Sequence, residues 1–282
     1  MAFLSNMHTH STYSDGDSTL EEYVQTALDL GFVSLGFSEH APTTYCPCEI
    51  PPHRVPDYLR EVRKLGRKYK NRIELYAGME YDVFEWVDYH DFSMDRYFRR
   101  NTYRLDYLIG AVHYLKLSDG TRASIDFTPE RTEDIIRDYG GAQATAREYY
   151  RLVCDVATRL KPDVLAHFDL LTKFNSNNRL FDEDSVWYRE IVDDAVVQVA
   201  KSGVTVEVNT GAMARGYRDV PYPSEYILRG LFARGVPVTI SSDAHNADNL
   251  NFGFEHAAAL LRHVGYRTVK QYIGGVFADI PL

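Results

Sequence analysis

The chain reads as an α/β fold whose parallel sheet closes into a barrel, and three observations carry that reading. Short apolar runs alternate with amphipathic segments about seven times along the 282 residues. The runs are continuously apolar rather than alternating, as expected of strands buried on both faces. Histidines and carboxylates follow nearly every run. In an open doubly wound sheet ligands gather at one switch point, whereas in a barrel all strand C-termini converge on one mouth. No linker, composition break, internal repeat or low-complexity tract interrupts the pattern, so residues 1–282 read as a single domain.

Strands are expected at Ala2–Met7, Val33–Phe37, Ile73–Gly78, Tyr107–Val112, Asp163–Ala166, Val204–Val208 and Val236–Ile240. Each is rich in Val, Ile, Leu, Tyr or Phe and bounded by turn or polar residues. Helical patterns fill the intervals. Ser18-Thr-Leu-Glu21 reads as a capping box ahead of Leu20, Tyr23, Val24, Ala27 and Leu28, with Gly31 as the stop signal. Val55–Tyr69, Ala142–Leu160, Ser185–Ser202, Ser224–Arg234 and Asn249–His263 complete the set. Two excursions, Tyr81–Arg104 and Lys116–Gly141, carry many charged and aromatic residues, and loops over a barrel mouth commonly hold substrate selectivity.

The hydrophobic share of 45% is enough for a substantial core. The formal charge is −9, and no Lys/Arg run is long enough for a nucleic-acid tail, so no nucleic-acid partner is expected. A small anion can still bind, because local metal charge outweighs net charge at short range. Met1–Met7 is too short for a secretory apolar region, and no stretch approaches the roughly 20 apolar residues of a membrane span. A cytoplasmic protein without a membrane partner is expected; nothing in the pattern fixes an oligomeric state. Three cysteines are too few for a disulfide framework. Cys46 and Cys48 lack the second pair of a structural zinc site, and Cys154 falls in a helical pattern as a small core residue.

Six of the ten histidines directly follow strand-like runs. His8-Thr-His10 places both imidazoles on one face, because the strand period is two, and so positioned they can chelate one metal. Taken singly, the pair is a weak signal and reads more readily as two polar residues in a loop after an edge strand. Asp15 reads equally as a turn residue, and His40, His113 and His167 as satisfied core histidines. Glu80, directly after Leu-Tyr-Ala-Gly-Met, needs a partner if buried. Ser-Asp243-Ala-His245 repeats the two-residue spacing after the last run. Nine nitrogen and oxygen ligands at strand ends together make a joint signal for a buried multinuclear metal site.

His8-Thr-His10, Ser-Asp15-Gly, Gly-Phe-Ser-Glu-His40-Ala-Pro, Gly-Met-Glu80-Tyr-Asp82, Gly-Ala-Val-His113-Tyr, Leu-Ala-His167-Phe-Asp169, Glu207-Val-Asn209-Thr-Gly and Ser-Ser-Asp243-Ala-His245 follow one another in that order. They resemble the successive motifs of the polymerase-and-histidinol-phosphatase (PHP) superfamily, from about residue 7 to about residue 266, and within it the stand-alone histidinol-phosphate phosphatases. The resemblance implies a distorted (β/α)7 TIM-like barrel with a trinuclear site at the C-terminal ends of the strands. It places His8, His10, Glu80 and Asp243 on a first metal. Glu80 bridges to a second on His113 and His167, and Asp15, His40 and His245 hold a third. The cofactors would be three divalent transition-metal ions, with Zn, Mn, Fe and Co all suited to a mixed histidine and carboxylate shell. Asp243, Glu80 and His245 are then the expected catalytic residues, with Asp243 the candidate to carry a proton to the leaving oxygen.

A phosphate monoester is dianionic near neutral pH and has a poor leaving group, which suits such a site. Its phosphate should also meet a guanidinium, whose planar fork matches phosphate oxygens. Arg215 is the first choice and Arg179 the second. Tyr114 and Asn209 are candidate supporting or substrate contacts, and Asp126 or Glu130 would suit an ammonium group. His53, His90, His256 and His263 read as ordinary residues. The expected substrate is a small phosphorylated molecule, L-histidinol phosphate. The alternatives are a phosphoesterase acting on nucleotides or other small phosphate esters, and a metal-binding domain without turnover.

Overall fold

The computed structural model describes residues 3–42, 46–82 and 104–282. Most of the Tyr81–Arg104 excursion, including His90, lies outside the described residues. The core is α/β, as the alternating pattern requires. The strands are β1 (Ser5–Asn6), β2 (Ser34–Phe37), β3 (Glu74–Ala77), β4 (Glu80–Asp82), β5 (Ile109–Ala111), β6 (Tyr114–Lys116), β7 (Arg122–Ser124), β8 (Val164–Leu165), β9 (Thr205–Asn209), β10 (Val238–Ser241), β11 (Thr268–Ile273) and β12 (Val276–Pro281). The helices are α1 (Leu20–Asp29), α2 (Val55–Tyr69), α3 (Pro129–Asp138), α4 (Ala142–Asp155), α5 (Val186–Ser202), α6 (Gly211–Ala214), α7 (Glu225–Phe232) and α8 (Phe254–Val264).

The expected single closed ladder is not what the strands form. One parallel sheet runs β1-β2-β3, and a second runs β12-β11-β10-β9-β8-β5-β4, with only the terminal β11–β12 pair antiparallel. The ladder divides because β3 and β4, two pieces of one extended run, pair with different neighbours: β3 with β2 and β4 with β5. Single-residue bridges cross the two seams, Thr9 with Ala244 and His40 with Glu80. Every crossing residue neighbours or is a candidate ligand, so the chain leaves regular pairing where it turns its side chains into the site. On the other edge, β1 meets β11 through side chains: Gln271 accepts from Leu4 N at 2.8 Å and Ser5 Oγ accepts from Tyr272 N at 3.3 Å.

Tyr107 explains the division at Gly78. Its buried hydroxyl donates to Met7 O at 2.6 Å and Phe37 O at 3.0 Å. The ring lies where a Cβ on Gly78 would be, 2.4 Å from the nearest ring carbon. Gly78→Ala must therefore move a packed tyrosine. A loss of about 1–3 kcal/mol is expected from overpacking, read as a lower denaturant midpoint at unchanged m-value.

Several local features differ from the sequence expectation. The capping box on α1 is Thr19 with Glu22, one residue beyond Ser18 and Glu21. Ser18 instead turns inward, its hydroxyl accepting from Ala247 N at 3.0 Å. The expected helix Ala142–Leu160 is α4 followed by a wider turn, Val156–Leu160, closed by Lys161 in the left-handed region. The Lys116–Gly141 excursion is not loop alone: it completes the β6–β7 hairpin and supplies α3, whose Thr128 caps the N-terminus. Cys46 and Cys48 are joined as a disulfide, while Cys154 is buried in α4. No helix among the described residues is long and apolar enough to cross a membrane.

Candidate metal centre

Ten side chains at the strand ends converge into overlapping groups, each with ligand atoms within 4.8 Å of one another. One group is His8, His10 and Asp243. A second is Glu80, His113 and His167. A third is His10, Asp15, His40 and His245, and a fourth joins His40, Asp82 and His113. All nine residues singled out in the sequence are in these groups. His10 is shared between two of them, which motif order did not suggest. Asp82 was not among the candidates, although Glu80-x-Asp82 has the same two-residue spacing that drew attention to His8 and His10.

Glu80 is the hub. Its Oε1 lies 2.9 Å from His167 Nε2 and 3.8 Å from His113 Nε2. Its Oε2 lies 3.2 Å from His8 Nε2, 3.4 Å from His10 Nε2 and 3.2 Å from His40 Nδ1. Asp243 Oδ1 approaches the same pair, at 3.6 Å from His8 Nε2 and 3.3 Å from His10 Nε2. Asp243 adopts a left-handed backbone (φ 49°), an uncommon conformation that persists only where surroundings hold it. Here Arg215 Nη1 donates to Asp243 O at 3.1 Å, and the next residue's carbonyl, Ala244 O, accepts from His10 N at 2.9 Å.

The turn that presents Asp15 is built on Glu39, a fully buried carboxylate. Glu39 accepts from Ser11 N and from the Ser11 and Ser14 hydroxyls. Gly16 closes the turn so tightly that a Cβ there would sit 2.0 Å from His10 O. Asp15 then lies 3.7 Å from His40 Nε2 and 3.4 Å from His245 Nε2. Asp82 Oδ1 takes both the backbone N–H and the Nδ1 of His113, at 3.0 and 2.7 Å, so His113 turns Nε2 toward Glu80.

The protonation balance follows from this crowding. Burial pushes the Glu80 carboxyl up, but His8, His113 and His40 outweigh it and hold the group well below its ordinary range. Burial opposes ionisation of Asp243 as well, and His8 and Arg215 overcome it. His10 is lowered to about 3 by burial and by the neighbouring His40 and His245. His113 is raised to about 10, against burial, by Asp82 and Glu80. The carboxylates are thus ionised acceptors, and His10 offers neutral nitrogens.

The donor set fits divalent metal ions. His8 Nε2, both nitrogens of His10, His40 Nδ1 and His167 Nδ1 are buried without a hydrogen-bond partner. Buried polar atoms are ordinarily satisfied, and all of these nitrogens except His167 Nδ1 lie within 4 Å of a Glu80 or Asp15 oxygen, so they call for a cation.

The expected substrate contacts fall differently. Arg215, 32% exposed, sits at the cluster: Nη2 lies 3.2 Å from Asp243 Oδ2 and Nη1 3.3 Å from His245 Nδ1. Arg179 is not brought there by any of its contacts; it is 51% exposed and pairs with Glu133 at 2.7 Å. Asn209 is turned inward and is committed to its neighbours, donating to Glu207 and Asp243 and accepting from Gly211 N. Tyr114 is half-buried with its hydroxyl 3.9 Å from Cys48 Sγ. Asp126 is engaged by Lys173 at 3.1 Å, which removes it as a free acceptor for an ammonium group, and Glu130 is exposed in the first turn of α3. Lys173 is a buried cation that sequence reasoning missed; its place six residues after His167 was the available signal.

An α/β fold with histidines and carboxylates gathered at the strand ends has the donors of a metal-binding protein. The chain belongs to the PHP domain family, whose pattern matches residues 6–211. It is 29% identical to a probable histidinol-phosphatase of Deinococcus radiodurans, over 95% of this chain and 96% of the relative. It is 26% identical to the histidinol-phosphatase of Bacillus subtilis, over 89% and 96%. Its fold matches the crystal structure of histidinol phosphate phosphatase from Lactococcus lactis, a complex with zinc, L-histidinol and phosphate. The TM-score is 0.73 at 20% identity, with 97% of this chain and 98% of that one covered.

Proposed function

We propose that this chain is a metal-dependent phosphomonoesterase that hydrolyses L-histidinol phosphate to L-histidinol and phosphate, a step of histidine biosynthesis in the cytoplasm. One observation carries the reading. Nitrogen and oxygen donors gathered into four overlapping groups, most of them wholly or partly buried, stand in a chain that aligns over 95% of its length with a relative named for this reaction. The complex of zinc, L-histidinol and phosphate in the Lactococcus lactis relative supports the choice of substrate and of a divalent ion. The split ladder is read as a distorted (β/α)7 TIM-like barrel within one domain, β3 and β4 counting as one strand and the two bridges as its closures.

His8, His10, Glu80 and Asp243 would hold one ion; Glu80, His113 and His167 a second; and Asp15, His40 and His245 a third. Zn, Mn, Fe and Co all suit these donors. When bound, such ions neutralise a dianionic phosphate and lower the pKa of water toward about 7. The chain's own residues supply the rest. Arg215 clamps phosphate oxygens with its guanidinium, and Asp243 fixes that guanidinium at the cluster. Asp243, held ionised, takes a proton from the attacking water and returns it to the leaving oxygen, which would otherwise depart as a strongly basic alkoxide. His245, beside Asp15 and Arg215, orients the same edge of the phosphate.

The test is a comparison of kcat/KM on histidinol phosphate, generic phosphate monoesters and nucleotides. Histidinol phosphate should be preferred by at least about tenfold, which a difference of 1.4 kcal/mol in transition-state binding suffices to give. Chelation should abolish turnover, and divalent metal should restore it. Equal or better turnover of nucleotides would overturn the substrate assignment, and full activity after exhaustive chelation would overturn the metal dependence.

A further inference from the structure

Glu207 lies in none of the four ligand groups, yet it is buried at 0% exposure in the middle of the site. A carboxylate has room for about four hydrogen bonds, and four donors reach this one. Oε1 takes His8 Nδ1 at 2.6 Å and the Ser241 hydroxyl at 2.5 Å. Oε2 takes the backbone N–H of His167 at 2.9 Å and the Asn209 amide at 2.9 Å. These donors come from the ends of β1, β8, β9 and β10. Two of them belong to candidate ligands in different groups, His8 beside Asp243 and His167 beside Glu80.

From this geometry we infer that Glu207 is a positioning residue that sets two metal pockets at once, by fixing the tautomer of His8 and the backbone that carries His167. The inference rests on the metal-dependent reading above. When its ring is neutral, with the proton on Nδ1 and directed at Glu207, His8 presents Nε2 as a lone pair toward Glu80 and Asp243, the form a metal requires. Nothing else among its hydrogen-bond partners enforces that choice. Asp82 performs the corresponding service for His113 alone. Glu207 differs because one rigid group serves two pockets, so the effect of removing its charge should reach both.

Glu207→Gln isolates this role with almost no change in shape. Four donors already surround the group, so an amide nitrogen must confront at least one of them. Placed at His8, that nitrogen donates to Nδ1 and moves the imidazole proton to Nε2, the nitrogen facing the cluster. Placed at the other end, it meets His167 N–H and the Asn209 amide. Calorimetric titration of apoprotein with Zn²⁺ should show affinity falling about 10–100-fold at two classes of site in E207Q. Asp82→Asn should weaken one class. Thermal melting in excess chelator separates folding from binding. Zinc affinities and stoichiometry equal to wild type in folded E207Q would overturn the inference, as would a loss confined to one class. Failure of wild-type apoprotein to bind zinc would instead refute the underlying metal reading. Should E207Q not fold, long-range ¹H–¹⁵N spectra of zinc-loaded wild type decide the matter. A proton on His8 Nδ1 is expected, and one on Nε2 overturns the proposal.

Discussion

Glu80→Gln is expected to lower kcat on histidinol phosphate by about 10³-fold or more, well beyond the roughly 10–100-fold typical of losing a residue that only orients a ligand. The reason is geometric. Two oxygens of one carboxylate lie within 4 Å of five imidazoles, from His8, His10, His40, His113 and His167. An amide keeps the shape but carries no charge, and only one of its two atoms can donate a lone pair to a metal. The substitution therefore strikes every group Glu80 touches. Metal content measured on purified protein should fall together with kcat. Retention of wild-type stoichiometry and turnover would show that Glu80 does not link the pockets.

Arg215→Ala is expected to act differently, reducing kcat/KM by a much larger factor than it reduces metal content, because it removes a contact to Asp243 and His245 but no metal donor. Hydrogen bonds to charged groups contribute about 1.5–3 kcal/mol, which corresponds to a fall of about 10–150-fold. Lysine should rescue poorly, because an ammonium cannot reproduce the planar two-pronged contact with phosphate. Arg179→Ala supplies the contrast. Its exposed pair with Glu133 belongs to a class contributing about 0–1 kcal/mol, so kcat/KM should change by no more than about fivefold. If the two variants behaved alike, the phosphate contact would not be at Arg215.

Much of the fold was legible because its signals are local. The seven apolar runs have cores within a residue or two of β1, β2, β3, β5, β8, β9 and β10, and Val55–Tyr69 matches α2 end to end. Buried parallel strands and capped amphipathic helices leave such marks in short windows of sequence. The β6–β7 and β11–β12 hairpins did not stand out, since β6 and β7 are short and β11 and β12 mix polar with apolar residues and lack a continuous apolar run. The ligand candidates were legible for a related reason. One histidine or carboxylate after an apolar strand is commonplace, but nine so placed on the strands of one α/β fold call for a cation where they are brought face to face.

What the sequence determined by itself was the alternation of strands and helices, the chemistry of the donors and their places at strand ends. Which donors share an ion was beyond it, because that depends on distances between strands far apart in the chain. Only the tertiary structure placed His10 between two groups, joined Asp82 to His113 and turned Asn209 inward. It also set Arg215 against Asp243 and Arg179 at the surface, although both are arginines in segments that follow strand ends. Glu207 shows the same limit most clearly. In sequence it is one polar residue within an apolar strand; in space it receives donors from four strand ends, a property of how the strands pack that no single segment encodes.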